Sequence, residues 1–159
     1  MIFVTLGSQK FQFDRLLKKL DELIEAGIIR DTVIAQTGAS EYTPKHYEYV
    51  KFMDREKFAD TIDKCSVVIT HGGTGVIIGA VKKGKKVIAV PRLARYGEHV
   101  DDHQLQLLHQ FDELKIICAC YDVDKLGDYY SRLDAMEFRP YVSNTQNIIA
   151  SIEEYLHSL

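Results

Sequence analysis

Residues Ser66-Val-Val-Ile-Thr70 run without a break into His71-Gly72-Gly73-Thr74-Gly75. The first five are an apolar, β-branched run of strand length and the next five a glycine cluster. Helix-compatible sequence with Ile77, Ile78 and Val81 follows, up to Gly84. A strand that ends in a glycine turn and reopens as a helix gathers backbone N–H groups and a helix N-terminus at one point, where partial positive charge holds a phosphate. Glycine also lets the backbone approach a ligand with no Cβ in the way. The competing reading is a plain strand-to-helix connection without a ligand, so the surroundings of the motif have to decide.

Those surroundings alternate strand and helix. Ile2 to Leu6 is continuously apolar or β-branched, as a parallel strand covered on both faces should be. Gly7-Ser8-Gln9 turns into a helix with Phe13, Leu16, Leu17, Leu20, Leu23 and Ile24 on one face, ended by Gly27. Further strands are expected at Thr32–Gln36, Tyr49–Met53, Lys86–Val90 and Ile116–Cys120, with a loop over Glu41–His46. Helices are expected at Arg55–Asp63, from about Val100 to Phe111, and over Asp122–Leu133 despite Gly127. Asn144 is placed to cap a final helix carrying Ile148, Ile149, Ile152, Tyr155 and Leu156. The alternation predicts an α/β fold, a doubly wound, mostly parallel sheet with helices on both faces. In such a sheet ligands bind beyond the carboxyl ends of the strands at a switch point. Gly7-Ser8, Gly72–Gly75 and the loop after Pro91 converge there in this reading.

That last loop, from Arg92 through Arg95, Tyr96, Glu98, His99, Asp101, Asp102 and His103 to Gln104, concentrates hydrogen-bonding side chains just before an amphipathic helix. A solvated loop with Asp101 and Asp102 favouring the helix dipole explains the aspartates. It does not explain Arg92, His99, His103 and Gln104 together. Gln104 is expected one turn into the helix, opposite Leu105 and Leu108, where an amide can exchange hydrogen bonds with vicinal sugar hydroxyls.

Composition bounds the rest. With 159 residues, 46% of them hydrophobic, the chain fits one domain over residues 1–159 that buries roughly 68–70% of its unfolded surface. A net charge of -3 gives no pull toward nucleic acid. Three cysteines cannot all pair, which suits a reducing cytoplasm, and Cys118 and Cys120 share a face with no matching ligand pair, so core packing is expected rather than metal. No signal peptide and no run of bilayer length is read. A nicotinamide-type fingerprint belongs after the first strand, with an acidic residue about 20 residues on, whereas this glycine cluster follows the fourth strand.

From Thr70 to Leu108, the His-Gly-Gly-Thr-Gly turn, the Gly-Lys-Lys-Val-Ile-Ala-Val-Pro-Arg strand and the Gly-Glu-His-Val-Asp-Asp-His-Gln helix start occur in order. This run resembles the C-terminal, nucleotide-sugar half of glycosyltransferase family 28. The similarity is strongest to a short single-domain branch containing the soluble subunit of a two-part UDP-N-acetylglucosamine transferase and bacterial capsule and exopolysaccharide transferase subunits. Met1 to Ser8 resembles the opening strand and loop of that branch. The resemblance implies a Rossmann-like domain equivalent to the C-terminal half of a GT-B glycosyltransferase. It further implies that Gly72, Gly73, Thr74 and Gly75 line the diphosphate of a UDP-sugar, with Gly7 and Ser8 beneath it. Asp102, His103 and Gln104 would face the sugar, and Arg92 and Glu98 are added as weaker nucleotide-sugar contacts. Longer relatives hold the ribose with a glutamate where this chain has Gly79, and Glu98 is the expected substitute.

The reaction so implied is inverting transfer from a UDP-sugar to a lipid-linked saccharide acceptor. Backbone donors would stabilise the leaving diphosphate without a metal or other cofactor, and His71 and His99 are the local acid/base candidates. In two-domain relatives the acceptor half lies on another domain, so a membrane-anchored partner subunit is expected to carry it. That would hold this chain at the inner face of the membrane, with the helix over Asn144–Leu159 docking there or packing on its own sheet. The alternative function is a non-catalytic subunit that stimulates a partner transferase.

Overall fold

A computed structural model describes residues 1–142 and 145–158. Its strands are β1 (Ile2–Thr5), β2 (Val33–Gln36), β3 (Glu48–Val50), β4 (Val67–Thr70), β5 (Lys86–Ala89) and β6 (Cys118–Ala119). They form one six-stranded sheet in the order β3-β2-β1-β4-β5-β6, with every neighbouring pair parallel. The helices are α1 (Asp14–Glu25), α2 (Arg55–Lys64), α3 (Thr74–Lys82), α4 (His103–Glu113), α5 (Leu126–Arg132) and α6 (Thr145–His157).

Strand periodicity sorts the core into two layers. From β1, Ile2 and Val4 join Leu16, Leu17 and Leu20 of α1 and Leu126 of α5 on one face. Phe3, between them, packs with Ile62 of α2, Ile77 of α3 and Leu108 of α4 on the other. This is the doubly wound α/β fold expected. Cys118 and Cys120 share the α1 face, as expected, and all three cysteines are buried and free.

Several boundaries differ from the sequence reading, each for a local reason. The third strand is shorter and earlier than Tyr49–Met53: Lys51 O still accepts from Gly38 N–H, and a few residues on Asp54 caps α2 by accepting from Lys57 N–H. Ahead of α4, Ala94–Tyr96 forms a turn of 3-10 helix that Gly97 ends, so α4 starts at His103 rather than Val100. Asp122–Leu133 is interrupted: a 3-10 turn at Val123–Lys125 precedes α5. Gly127 belongs there because a Cβ at that position would lie 2.8 Å from Leu23 Cδ2. The Glu41–His46 loop has its backbone held from α1: Asp14 accepts from Glu41 and Tyr42 N–H, and buried Asp21 from Lys45 and His46 N–H. In α6, Ile152, Tyr155 and Leu156 are exposed. Asn144, its expected cap, lies outside the described residues, as do the side chains of Ile148 and Ile149.

Candidate functional site

The strand order reverses between β1 and β4, which makes their carboxyl ends the switch point of the sheet. β1 delivers Gly7 there, with φ +74°, and β4 delivers His71 and the glycine turn. Gly38, after β2, closes on the first loop so tightly that a Cβ on it would lie 3.0 Å from Gly7 O. The three segments expected to converge do so. A Cβ on Gly7 would lie 2.8 Å from His71 Nε2, one on Gly73 2.7 Å from His71 Cε1, and one on Gly72 2.9 Å from Gln104 Cβ. Gly7, Gly72 and Gly73 are therefore required by close approach, since any side chain there displaces His71 or Gln104.

The turn opens into α3 with Gly73 at its N-cap and no side chain satisfying the first turn. The first intrahelical bond recorded there runs from Ile77 N–H to Gly73 O. Geometry leaves the N–H groups of Thr74, Gly75 and Val76 without intrahelical acceptors. Thr74 and Gly75 are exposed, as is Ser8 across the crevice. This is an open, donor-rich mouth suited to an anion.

His71 behaves differently from a surface histidine. It is buried, its Nδ1 lies 3.3 Å from Gln104 Nε2, and its pKa is pushed down to about 3 by desolvation, with the nearby Arg92 and His99 acting in the same direction. A ring held neutral this far below its ordinary value is a poor proton acceptor and carries no extra proton to donate at neutral pH. His99 packs against Phe11, with ring centroids 4.9 Å apart and planes tilted by 37°, and its Nδ1 accepts from Asp101 N–H at 3.4 Å, with Asp101 Oδ1 3.3 Å away. Asp101 thereby orients the ring through its backbone N–H. Asp101 was read from sequence only as a dipole partner. It also accepts from His103 N–H, fixing the start of α4.

The other expected contacts are mostly internal. Arg92 is 1% exposed and donates through Nη2 to Leu6 O and Phe11 O, while Nε and Nη1 are buried with no partner among the described residues. Burial lowers its pKa to about 10, so it remains a cation beneath the crevice. Glu98 is fully buried, and both its oxygens accept from Arg15 while Oε1 also takes Leu93 N–H. That engagement removes it as a substitute ribose ligand. Gln104 is the second residue of α4 and buried on the same side as Leu108, not opposite it, because residues four apart share a helix face. Its Oε1 accepts from Arg92 N–H at 3.1 Å. Asp102 and His103 are exposed, and Asp102 Oδ1 accepts from Ala94 N–H. Gly79 lies on α3 with nothing within 4 Å of a built Cβ. Arg15 and Gly38 were missed as site residues, since only a long-range contact distinguishes them from any helix arginine or turn glycine. Among the described residues no group of His, Cys, Asp and Glu is arranged to hold a metal ion, and no helix is long and apolar enough to cross a membrane.

Fold and crevice together define a doubly wound α/β protein with an anion-receptive helix terminus at its switch point. Residues 1–158 match the profile of the glycosyltransferase family 28 C-terminal domain, and the chain belongs to that family. It is similar in fold to the solved structure described as the glycotransferase of kitacinnamycin, with a TM-score of 0.56 at 16% identity over 84% of this chain. The match covers 33% of that structure's length, so this chain spans about a third of it. A comparison with curated proteins gave no match.

Proposed function

We propose that this chain is the donor-binding part of a UDP-sugar-dependent inverting glycosyltransferase acting on a lipid-linked acceptor, with capsule or exopolysaccharide assembly as its setting. The observation that carries the reading is the mouth of α3. Exposed Thr74 and Gly75 sit there over unpaired first-turn N–H groups, opposite Gly7 and Ser8 and above the buried Arg92 cation. Diphosphate charge builds up on the leaving group as the glycosidic bond breaks, and fixed dipoles with a nearby cation stabilise it without reorganising. Exposed Asp102 and His103 lie beside the crevice for the sugar. His99, oriented by Asp101, is the base candidate for the acceptor hydroxyl.

The acceptor half of the cleft is assigned to a membrane-associated partner subunit or further domain. That assignment is supported by a match spanning only a third of the similar structure, and by an α6 whose Ile152, Tyr155 and Leu156 are exposed in a helical stripe. Replacing Ile152 and Leu156 by aspartate should abolish partner association while leaving the melting curve unchanged. A non-catalytic, stimulating subunit is the second reading. It is favoured by Gly79, which offers no carboxylate to the ribose, and by Glu98, whose oxygens are engaged inside the protein.

Titration calorimetry with UDP, UDP-glucose, UDP-galactose, UDP-glucuronate and UDP-N-acetylglucosamine tests the proposal. The first reading expects UDP to bind and one sugar to improve on it. Binding of none, with or without the partner, removes it.

A further inference from the structure

We infer that Gln104 is a positioning residue that locks His71 in its Nε2–H tautomer, so that the switch-point crevice presents a neutral imidazole N–H donor to the diphosphate. Backbone Arg92 N–H can only donate, so the Gln104 atom facing it at 3.1 Å must be the carbonyl oxygen. The amide nitrogen is then the atom 3.3 Å from His71 Nδ1, and an NH2 group can only donate. Nδ1 must accept, and the single proton of the neutral ring belongs on Nε2. An amide flip would set the Gln104 NH2 against the Arg92 N–H, two donors facing each other at 3.1 Å, and the backbone N–H has no alternative state that relieves the clash. The geometry therefore determines the proton positions that heavy atoms alone leave open.

Nε2 is the atom that lies against Gly7, with Cε1 against Gly73, and no protein acceptor for Nε2 occurs among the described residues. The N–H therefore stands between the two loops that flank the anion-receptive mouth. The groups facing the ring are Gln104 from α4, Arg92 from the end of β5 and His99 from the following loop. Both charged or titratable neighbours oppose a second proton, and burial opposes it further. The donor stays in one state across the physiological range. Gln104, by the same geometry, holds its amide inside the protein rather than offering it to a sugar. The donor's destination rests on the nucleotide reading proposed above; the tautomer does not.

Long-range nitrogen–proton NMR of the imidazole rings in 15N-labelled protein tests this directly. The wild-type chain should show His71 as a single Nε2–H tautomer that does not titrate between pH 8 and about 5. An Nδ1–H signature, an averaged tautomer, or titration at the ordinary value of 6.5 overturns the inference. In Gln104→Glu the carboxylate accepts at both ends, so His71 should acquire an Nδ1 proton and titrate at higher pH; an unchanged ring also overturns it. Gln104→Leu, checked for folding by its melting curve, should bind UDP about tenfold more weakly, the loss expected when one hydrogen bond to a charged group is disordered. UDP that binds without moving the Nε2–H resonance overturns the donor role alone. UDP that fails to bind a chain with the expected tautomer overturns the nucleotide reading and the donor role with it, and leaves the lock standing.

Discussion

Residues 72–75 and residues 92–104 meet at the same end of the sheet and are both rich in glycine or polar side chains, yet they are built in opposite ways. The first segment keeps Thr74 and Gly75 in solvent over unpaired N–H groups. The second turns Arg92, Glu98 and Gln104 inward, where they hold β1, α1 and β4 together through hydrogen bonds to Leu6 O, Phe11 O, Leu93 N–H, Arg15 and His71. One region stands open to solvent, the other is the frame that fixes it. The lesson is that a cluster of hydrogen-bonding residues near a candidate site is as well suited to rigidity as to recognition, and only burial separates the two roles.

This contrast is open to attack by mutation. Glu98→Ala should produce the largest effect, a loss of about 3 kcal/mol in urea unfolding, because it strips a buried carboxylate from Arg15, Leu93 N–H and the neighbourhood of Arg92. Arg15 keeps some contact with water, which holds the loss to the low end of the range for a broken buried pair. Gly7→Ala should come next, at roughly 2 kcal/mol, from the left-handed φ, with a chemical-shift change at His71, whose Nε2 would meet the new methyl.

Acid should separate the regions by another route. His71 takes a proton near 6.5 when unfolded but only near 3 when folded. Between those values the unfolded state binds more protons, so its contribution to stability is complete above 6.5 and declines as the pH falls. The slope approaches about 1.4 kcal/mol per pH unit well inside the window. His71→Asn should flatten that part of the stability curve relative to the wild type. In the open region, Gly75→Ala should raise stability slightly, by about 0.5 to 1 kcal/mol, since alanine favours a helix over glycine and nothing lies within 4 Å of the added carbon. The same change should weaken UDP binding in calorimetry, because the methyl stands where a diphosphate would rest. If Gly75→Ala bound UDP as well as the wild type, the open mouth would lose its part in recognition.

The order of strands and helices was legible because a buried parallel strand and an amphipathic helix each impose a period on the chain, and β1, β4 and α1 carry those periods cleanly. The convergence of Gly7, Gly72–Gly75 and the loop after Pro91 followed from the sheet's topology alone. What escaped was the direction of side chains in the loop. Nothing local in Pro91-Arg92 or in Gly97-Glu98 signals that the arginine and the glutamate are interior. Their partners, Leu6 O and Arg15, stand more than 80 residues away. Gln104 was misplaced for a related reason: with α4 expected to begin at Val100, it was put a turn too deep and on the wrong face. The start at His103 depends on Gly97 ending a 3-10 turn, a break the apolar spacing of the helix does not encode.

At the far rim of the sheet, β6 pairs with β5 alone, and Cys118 within it and Cys120 just after it enter the same interior layer. Burial raises their pKa values to about 11 and about 12, so both remain protonated, sulfur-unreactive groups while the strand stays in place. With the third buried cysteine, Cys65, replaced by serine, a thiol-labelling reagent added to the native chain will thus keep time for the peeling of that outermost ribbon, a stopwatch for partial unfolding.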